Sequence, residues 1–133
     1  MSTPFTGASG PEETHTIDAV AVKALPRLFK AWRVPAADAA KLVGVSERTW
    51  IRMKGGTWTG SLNQDQCLRA SALVGLYKGL HLYFSDVLAD KWVKMPNRGP
   101  LFLGESPLAF MLAGGLPAII DARDYVDAIR GGV

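Results

Sequence analysis

Arg48 and Arg52 stand one helical turn apart, so a helix running through them carries two guanidinium groups on one face. Such a pair can donate to guanine edges or to phosphate oxygens, and Lys41 and Lys54 on either side can add contacts to a nucleic-acid backbone. Ser46, just ahead of them, is a residue type that caps helices. Glu47 would meet phosphate repulsion unless it accepts from a cytosine amino group, and Ile51 offers only a thymine-methyl contact. The chemistry suggested is recognition of duplex DNA, with a dimer surface as the other use of the same helices.

The remaining reactive side chains form no catalytic pattern. Asp86 and Asp90, and likewise Asp121, Asp124 and Asp127, fall at helical spacings that could pair carboxylates, but such runs usually make a solvated helix face. The single cysteine, Cys67, reads as a small interior residue. The two histidines, His15 and His81, are too far apart in sequence to begin a metal centre, and His81 reads as a partly exposed helix residue. Residues 55–60 are glycine-rich, yet they lack the preceding strand and the lysine of a phosphate-binding loop. No nucleophile elbow or zinc-protease motif occurs. We therefore expect no catalytic residues, no metal site, no cofactor and no enzymatic activity.

What must position these residues is a chain of 133 residues, 48% hydrophobic and 20% charged, a globular balance in one small unit. The net charge of +3 is unevenly spread. Residues 21–60 hold eight bases against two acids, whereas residues 1–20 hold three acids and no base. A basic block so confined suggests an anionic partner. No basic stretch followed by an apolar core opens the chain, so no secretory signal is expected. The apolar run 101–120 is broken by Glu105, Pro107, the pair Gly114-Gly115 and Pro117, and cannot be one spanning helix. The expectation is a soluble cytoplasmic protein with no membrane partner.

The spacing predicts helices throughout and no strand. Residues 1–15 are small, polar and aperiodic and read as a disordered lead-in. Thr16 could cap a first helix with Leu25, Leu28, Phe29 and Trp32 as its apolar stripe; Pro26 either kinks it or starts a second one. Residues 35–54 fit a helix-turn-helix. Ala39, Ala40 and Val43 line the first helix, Gly44 makes the turn and Val45 plugs the corner. Ser46 caps the second helix, and Trp50 and Met53 point inward. Asn63 and Gln66 form a capping-box pattern for a long helix with Leu73, Leu76, Leu80, Tyr83 or Phe84, and Val87 on one stripe. Gly75 and Gly79 within it would admit a neighbouring helix. Ser85 offers the next cap, and Met95-Pro96 ends that helix. Ser106-Pro107 and Gly114-Gly115 bracket a further helix, and Pro117 opens the last, which carries Ile119, Ile120, Tyr125, Val126 and Ile129. The expected organisation is a lead-in (1–15), a helix-turn-helix domain (16–60), connecting helices (61–95) and a small C-terminal helical domain (96–133).

In the last third, Trp92-Val93, Pro96-Asn97, Gly104-x-Ser106-Pro107-Leu108, Leu112 and Gly114-Gly115 precede an apolar helix ending in glycine. Together with the helix-turn-helix order, this resembles the Xre/MbcA/ParS-type antitoxins over about residues 20–133. The resemblance implies an antitoxin with an Xre-like N-terminal domain. Its partner would be a cognate RES-domain toxin that degrades NAD or transfers ADP-ribose from it. It further implies that residues 96–133 bind the toxin and occlude its NAD pocket. The contacts assigned on that basis are Arg98, Ser106, Leu108, Phe110, Met111, Ile120, Arg130, Gly131, Gly132 and Val133. Gly131-Gly132 would let backbone enter a narrow pocket, and the carboxylate of Val133 would meet its cations. Operator DNA is the second expected partner, through Lys41, Ser46, Arg48, Arg52 and Lys54, with autorepression as the outcome. A homodimer is expected, giving a 2:2 complex with toxin, because paired half-sites need two copies and Ile51 and Trp58 would need cover. The chain departs from the family pattern at Glu47 and Ile51 and in the bulky apolar connection 98–103. A stand-alone helix-turn-helix repressor is the competing reading; it leaves the C-terminal pattern without a role.

Overall fold

The computed structural model describes residues 11–131, with residues 11–18, 21 and 130 given by their backbone alone. Among the described residues there are seven helices and no strand. They are α1 (Pro11–Trp32), α2 (Ala36–Val43), α3 (Glu47–Lys54), α4 (Gln64–Tyr83), α5 (Asp86–Trp92), α6 (Pro107–Gly114) and α7 (Leu116–Arg130). The all-α class follows from periodicity: Leu25, Leu28, Phe29 and Trp32 are all buried on one side of α1. Burying each such side chain contributes about 1.5–3 kcal/mol.

α1 starts at Pro11, well ahead of the cap expected at Thr16. Proline suits the first helical position, where a missing N–H costs nothing, and Glu12 and Glu13 follow where acids favour the helix dipole. Residues 11–15 are therefore helical rather than part of a disordered lead-in; residues 1–10 lie outside the described residues. Pro26 lies inside α1 and does not start a second helix. The helix ends where Arg33 turns left-handed (φ 57°) and the Val34 N–H donates to the Phe29 carbonyl at 2.9 Å. The Lys94 ammonium donates to the Arg33 carbonyl at 2.7 Å, fixing α5's exit to α1.

α4 is the spine. Its predicted capping box is present, with Asn63 Oδ1 accepting from the Gln66 N–H (2.8 Å) and Gln66 Oε1 from the Asn63 N–H (2.9 Å). Its buried residues Ala70, Leu73, Leu76 and Leu80 face α1 on one side and α7 on the other; the α4–α7 pair is the most extensive in the molecule. Gly75 leaves room for the Arg123 side chain of α7, whose Cδ a Cβ there would approach to 3.1 Å. The core is continuous from α1 through the α2–α3 unit, α4 and α5 to α6 and α7, across both expected domain boundaries at 60 and 95.

The apolar connection after α5 has a clear role. Phe102 is buried, with its ring edge-on to Trp92 (5.6 Å), Phe110 (5.2 Å) and Tyr125 (5.1 Å). Backbone hydrogen bonds close the neck of the loop, from Gly104 to the Asn97 carbonyl (2.7 Å) and from Asn97 to the Glu105 carbonyl (3.1 Å). Leu103, next to the plug, is 81% exposed and left-handed at φ 53°. A side chain in that region is strained and here buries nothing in return. Leu103→Gly should therefore stabilise the chain by about 0.5–1 kcal/mol, net of glycine's larger unfolded-state entropy. Urea unfolding should show a higher midpoint at unchanged slope; a lower midpoint would mean that the leucine packs usefully.

Candidate functional site

The helix-turn-helix forms from local rules over twenty residues. At the end of α2, Gly44 adopts φ 84°, and the N–H groups of Gly44 and Val45 both donate to the Ala40 carbonyl (2.8 and 3.0 Å). Ser46 then caps α3, its Oγ accepting from the Thr49 N–H at 3.0 Å and donating to Thr49 Oγ1 at 3.0 Å. Trp50 and Met53 are buried, and Trp50 meets Phe29 of α1 edge-on at 5.3 Å. That inward pair fixes the rotation of α3 and turns Glu47, Arg48, Ile51, Arg52 and Lys54 out to solvent.

Lys41, Arg48, Arg52 and Lys54 are exposed, and none takes part in an ion pair among the described residues. Ser46 is committed to its cap. Ile51 is 54% exposed, whereas Trp58 is half-buried and packed against the core. The unit is locked to α4 from behind. Arg69 pairs with Asp65 (2.8 Å) and donates to the carbonyls of Lys41 (3.3 Å) and Leu42 (3.4 Å), and Gln66 Nε2 donates to the Gly44 carbonyl (2.9 Å). Sequence reading missed this tie, because nothing local marks an arginine that caps a helix 27 or 28 positions away.

The residues expected to meet a protein partner divide sharply. Met111 is fully buried and Leu108 is 8% exposed, so both serve this chain's own core and not a partner. The cause is helical register: in the short α6 the pair 108/111 is the stripe that packs inward. Phe110 and Ile120 are half-buried and Arg98 is exposed. Ser106 caps α6 by accepting from the Ala109 N–H at 3.1 Å. Gly131 is exposed just past α7; the Arg130 side chain, Gly132 and Val133 lie outside the described residues.

A third cluster was unforeseen. His81, near the end of α4, places Nδ1 2.9 Å from Asp86 Oδ1 and Nε2 2.8 Å from Asp90 Oδ1, both on α5, and its ring lies 4.3 Å from that of Tyr77. A neutral imidazole has one N–H, so both contacts are donated only by the imidazolium. Burial of the ring opposes the charge, but the hydrogen bonds to Asp86 and Asp90 and their negative charge outweigh it. The His81 pKa is held above its ordinary 6.5. Burial, then Asp90 and Asp86, push the Tyr77 hydroxyl above 10.0. Among the described residues no three His, Cys, Asp or Glu side chains are grouped to hold a metal ion. The cluster is a clasp between α4 and α5.

Its pH behaviour follows from the direction of the shift. A histidine whose folded pKa is raised stabilises fully below its unfolded value near 6.5 and loses that contribution as pH rises through the higher folded value. Unfolding free energy should fall by about 1 kcal/mol between pH 6 and pH 9, and this fall should be absent in His81→Gln. Equal pH slopes in the two proteins, measured by urea titration, would show that His81 binds its proton equally well folded and unfolded.

A glycine corner, a serine-capped second helix with its inward Trp–Met pair, and an outward basic face define a helix-turn-helix protein. Residues 11–75 match the antitoxin Xre-like helix-turn-helix domain. The chain is also 34% identical, over 99% of its own length and 100% of the relative's, to the uncharacterized protein y4oB of Sinorhizobium fredii (strain NBRC 101917 / NGR234). It therefore belongs to one family with that protein, with an Xre-like antitoxin helix-turn-helix domain at its N-terminal end. No solved structure matches the chain significantly. Among the described residues no helix is long and apolar enough to cross a membrane.

Proposed function

We propose that this protein is a non-enzymatic, cofactor-free antitoxin that binds and silences a RES-type, NAD-consuming toxin and represses its own operon. The observation that carries the reading is the antitoxin-type helix-turn-helix over residues 11–75, joined through α4 to an α6–α7 unit that such a motif does not itself require. The toxin-facing surface comprises Arg98, Phe110, Ile120 and residues 130–133. The operator-facing surface comprises Lys41 at the end of α2 and Arg48, Arg52 and Lys54 along α3. The protein acts as a homodimer in a 2:2 complex; Leu82 and Val87, at the α4–α5 corner, are exposed apolar surface for that contact.

The decisive experiment expresses the product of the adjacent reading frame alone and with this chain. Growth arrest with NAD loss, relieved by co-expression and accompanied by co-purification, is the expected result. A harmless neighbour that does not bind would overturn the toxin half. The stand-alone repressor would then be favoured by the unpaired cations of α3, and gel shift with the upstream DNA would test it.

A further inference from the structure

α1 presents an unusual surface. Between residues 19 and 32 it carries no acid, and Lys23, Arg27 and Lys30 recur at helical spacing, all exposed. A helix face that merely meets solvent mixes signs and forms pairs one turn apart. Here none of the three pairs with an acid among the described residues. The stripe borders a groove of about 490 Å³ between α1 and α3. Arg27 and Lys30 line it from α1 and Lys54 from α3, and no acid lines it. Phe29 and Trp50, in edge-on contact, form its base and hold the two helices at fixed separation. Cations held around a fixed apolar base complement a sugar–phosphate strand, whose phosphates seek charge while its sugars tolerate apolar surface.

We propose that the α1–α3 groove is a second nucleic-acid contact, in which Arg27 and Lys30 with Lys54 hold the phosphates of the strand running beside α3. This rests on the DNA-binding reading above and extends the interface from the reading helix to α1. Its role is to set register and affinity, since phosphate contacts carry no sequence information.

The test uses the full chain and a duplex spanning the DNA upstream of its gene, with an unrelated duplex of equal length, titrated between 50 and 200 mM KCl. Each phosphate contact contributes roughly 0.9 to the slope of log K against log salt. Arg27→Ala/Lys30→Ala should flatten the slope by about 1.8 and weaken both duplexes equally. Arg27→Lys/Lys30→Arg should keep the slope, and thermal melts should match wild type because both side chains are exposed. A wild-type protein that binds DNA while the double-alanine variant keeps its slope would overturn the groove proposal alone. So would loss of neighbour-product binding with an unchanged slope, which would make the groove's occupant an acidic protein segment. Failure of the wild type to bind either duplex at 50 mM KCl would overturn the DNA reading and this proposal together.

Discussion

Replacing Phe102 with alanine should lower the free energy of unfolding by about 3–5 kcal/mol, a large share of a small domain's margin of roughly 5–15 kcal/mol. The ring is the meeting point of Trp92, Phe110 and Tyr125, which come from α5, α6 and α7. None of these helices can move in to fill the void cheaply. α6 is pinned by its serine cap and by the Leu108 N–H donating to the Val93 carbonyl at 2.7 Å, and α7 is held along α4. Phe102→Leu, which keeps most of the volume, should cost less than half as much. Urea titrations of the three proteins decide the point. A loss under 1 kcal/mol for the alanine variant would mean that the loop, rather than its plug, holds α5, α6 and α7 together.

On the antitoxin reading, removing residues 130–133 should restore toxin activity almost completely while leaving the complex intact. Among the described residues α7's last buried side chain is Val126, and Gly131 is exposed, so the described core stops short of the end of the helix. The segment's contribution would be occlusion, with binding supplied by Arg98, Phe110 and Ile120. NAD consumption by the purified complex should rise at least tenfold after the deletion, equivalent to about 1.4 kcal/mol lost from occlusion, with the dissociation constant changed less than that. Gly132→Trp should behave like the deletion, because an indole cannot follow backbone into a close-fitting pocket. A deleted protein that binds and still silences its toxin would move the inhibitory contact to the face of α6 and α7.

How much could be read in advance tracked how local the governing physics was. Gly44, Ser46, Trp50 and Met53 fall where a helix-turn-helix needs them, and each acts through neighbours a few residues away. The caps at Asn63, Ser85 and Ser106 were legible for the same reason. Arg69 and His81 were not, because their partners lie on other elements and no periodicity records them. Leu108 and Met111 show a different limit. The resemblance marks α6 as part of a partner-binding region, but not which side of so short a helix faces inward. The bulk of residues 100–103 had no visible purpose in sequence, since a plug is defined only by the three helices that surround it.

The arrangement of α4 also bears on how the protein is made. Leu73, Leu76 and Leu80 lie on a helix synthesised mid-chain, yet the helix that covers it most extensively, α7, is the last of the seven to leave the ribosome. Until then the nascent chain carries an apolar stripe covered on its α1 side alone, and the helix-turn-helix is tied through Arg69 to a helix that is only half packed. A product cut short before α7 would keep its basic reading face but display that stripe to proteases and chaperones. Packing its last helix onto its central one thus makes completeness of translation a condition for a stable DNA-reading surface.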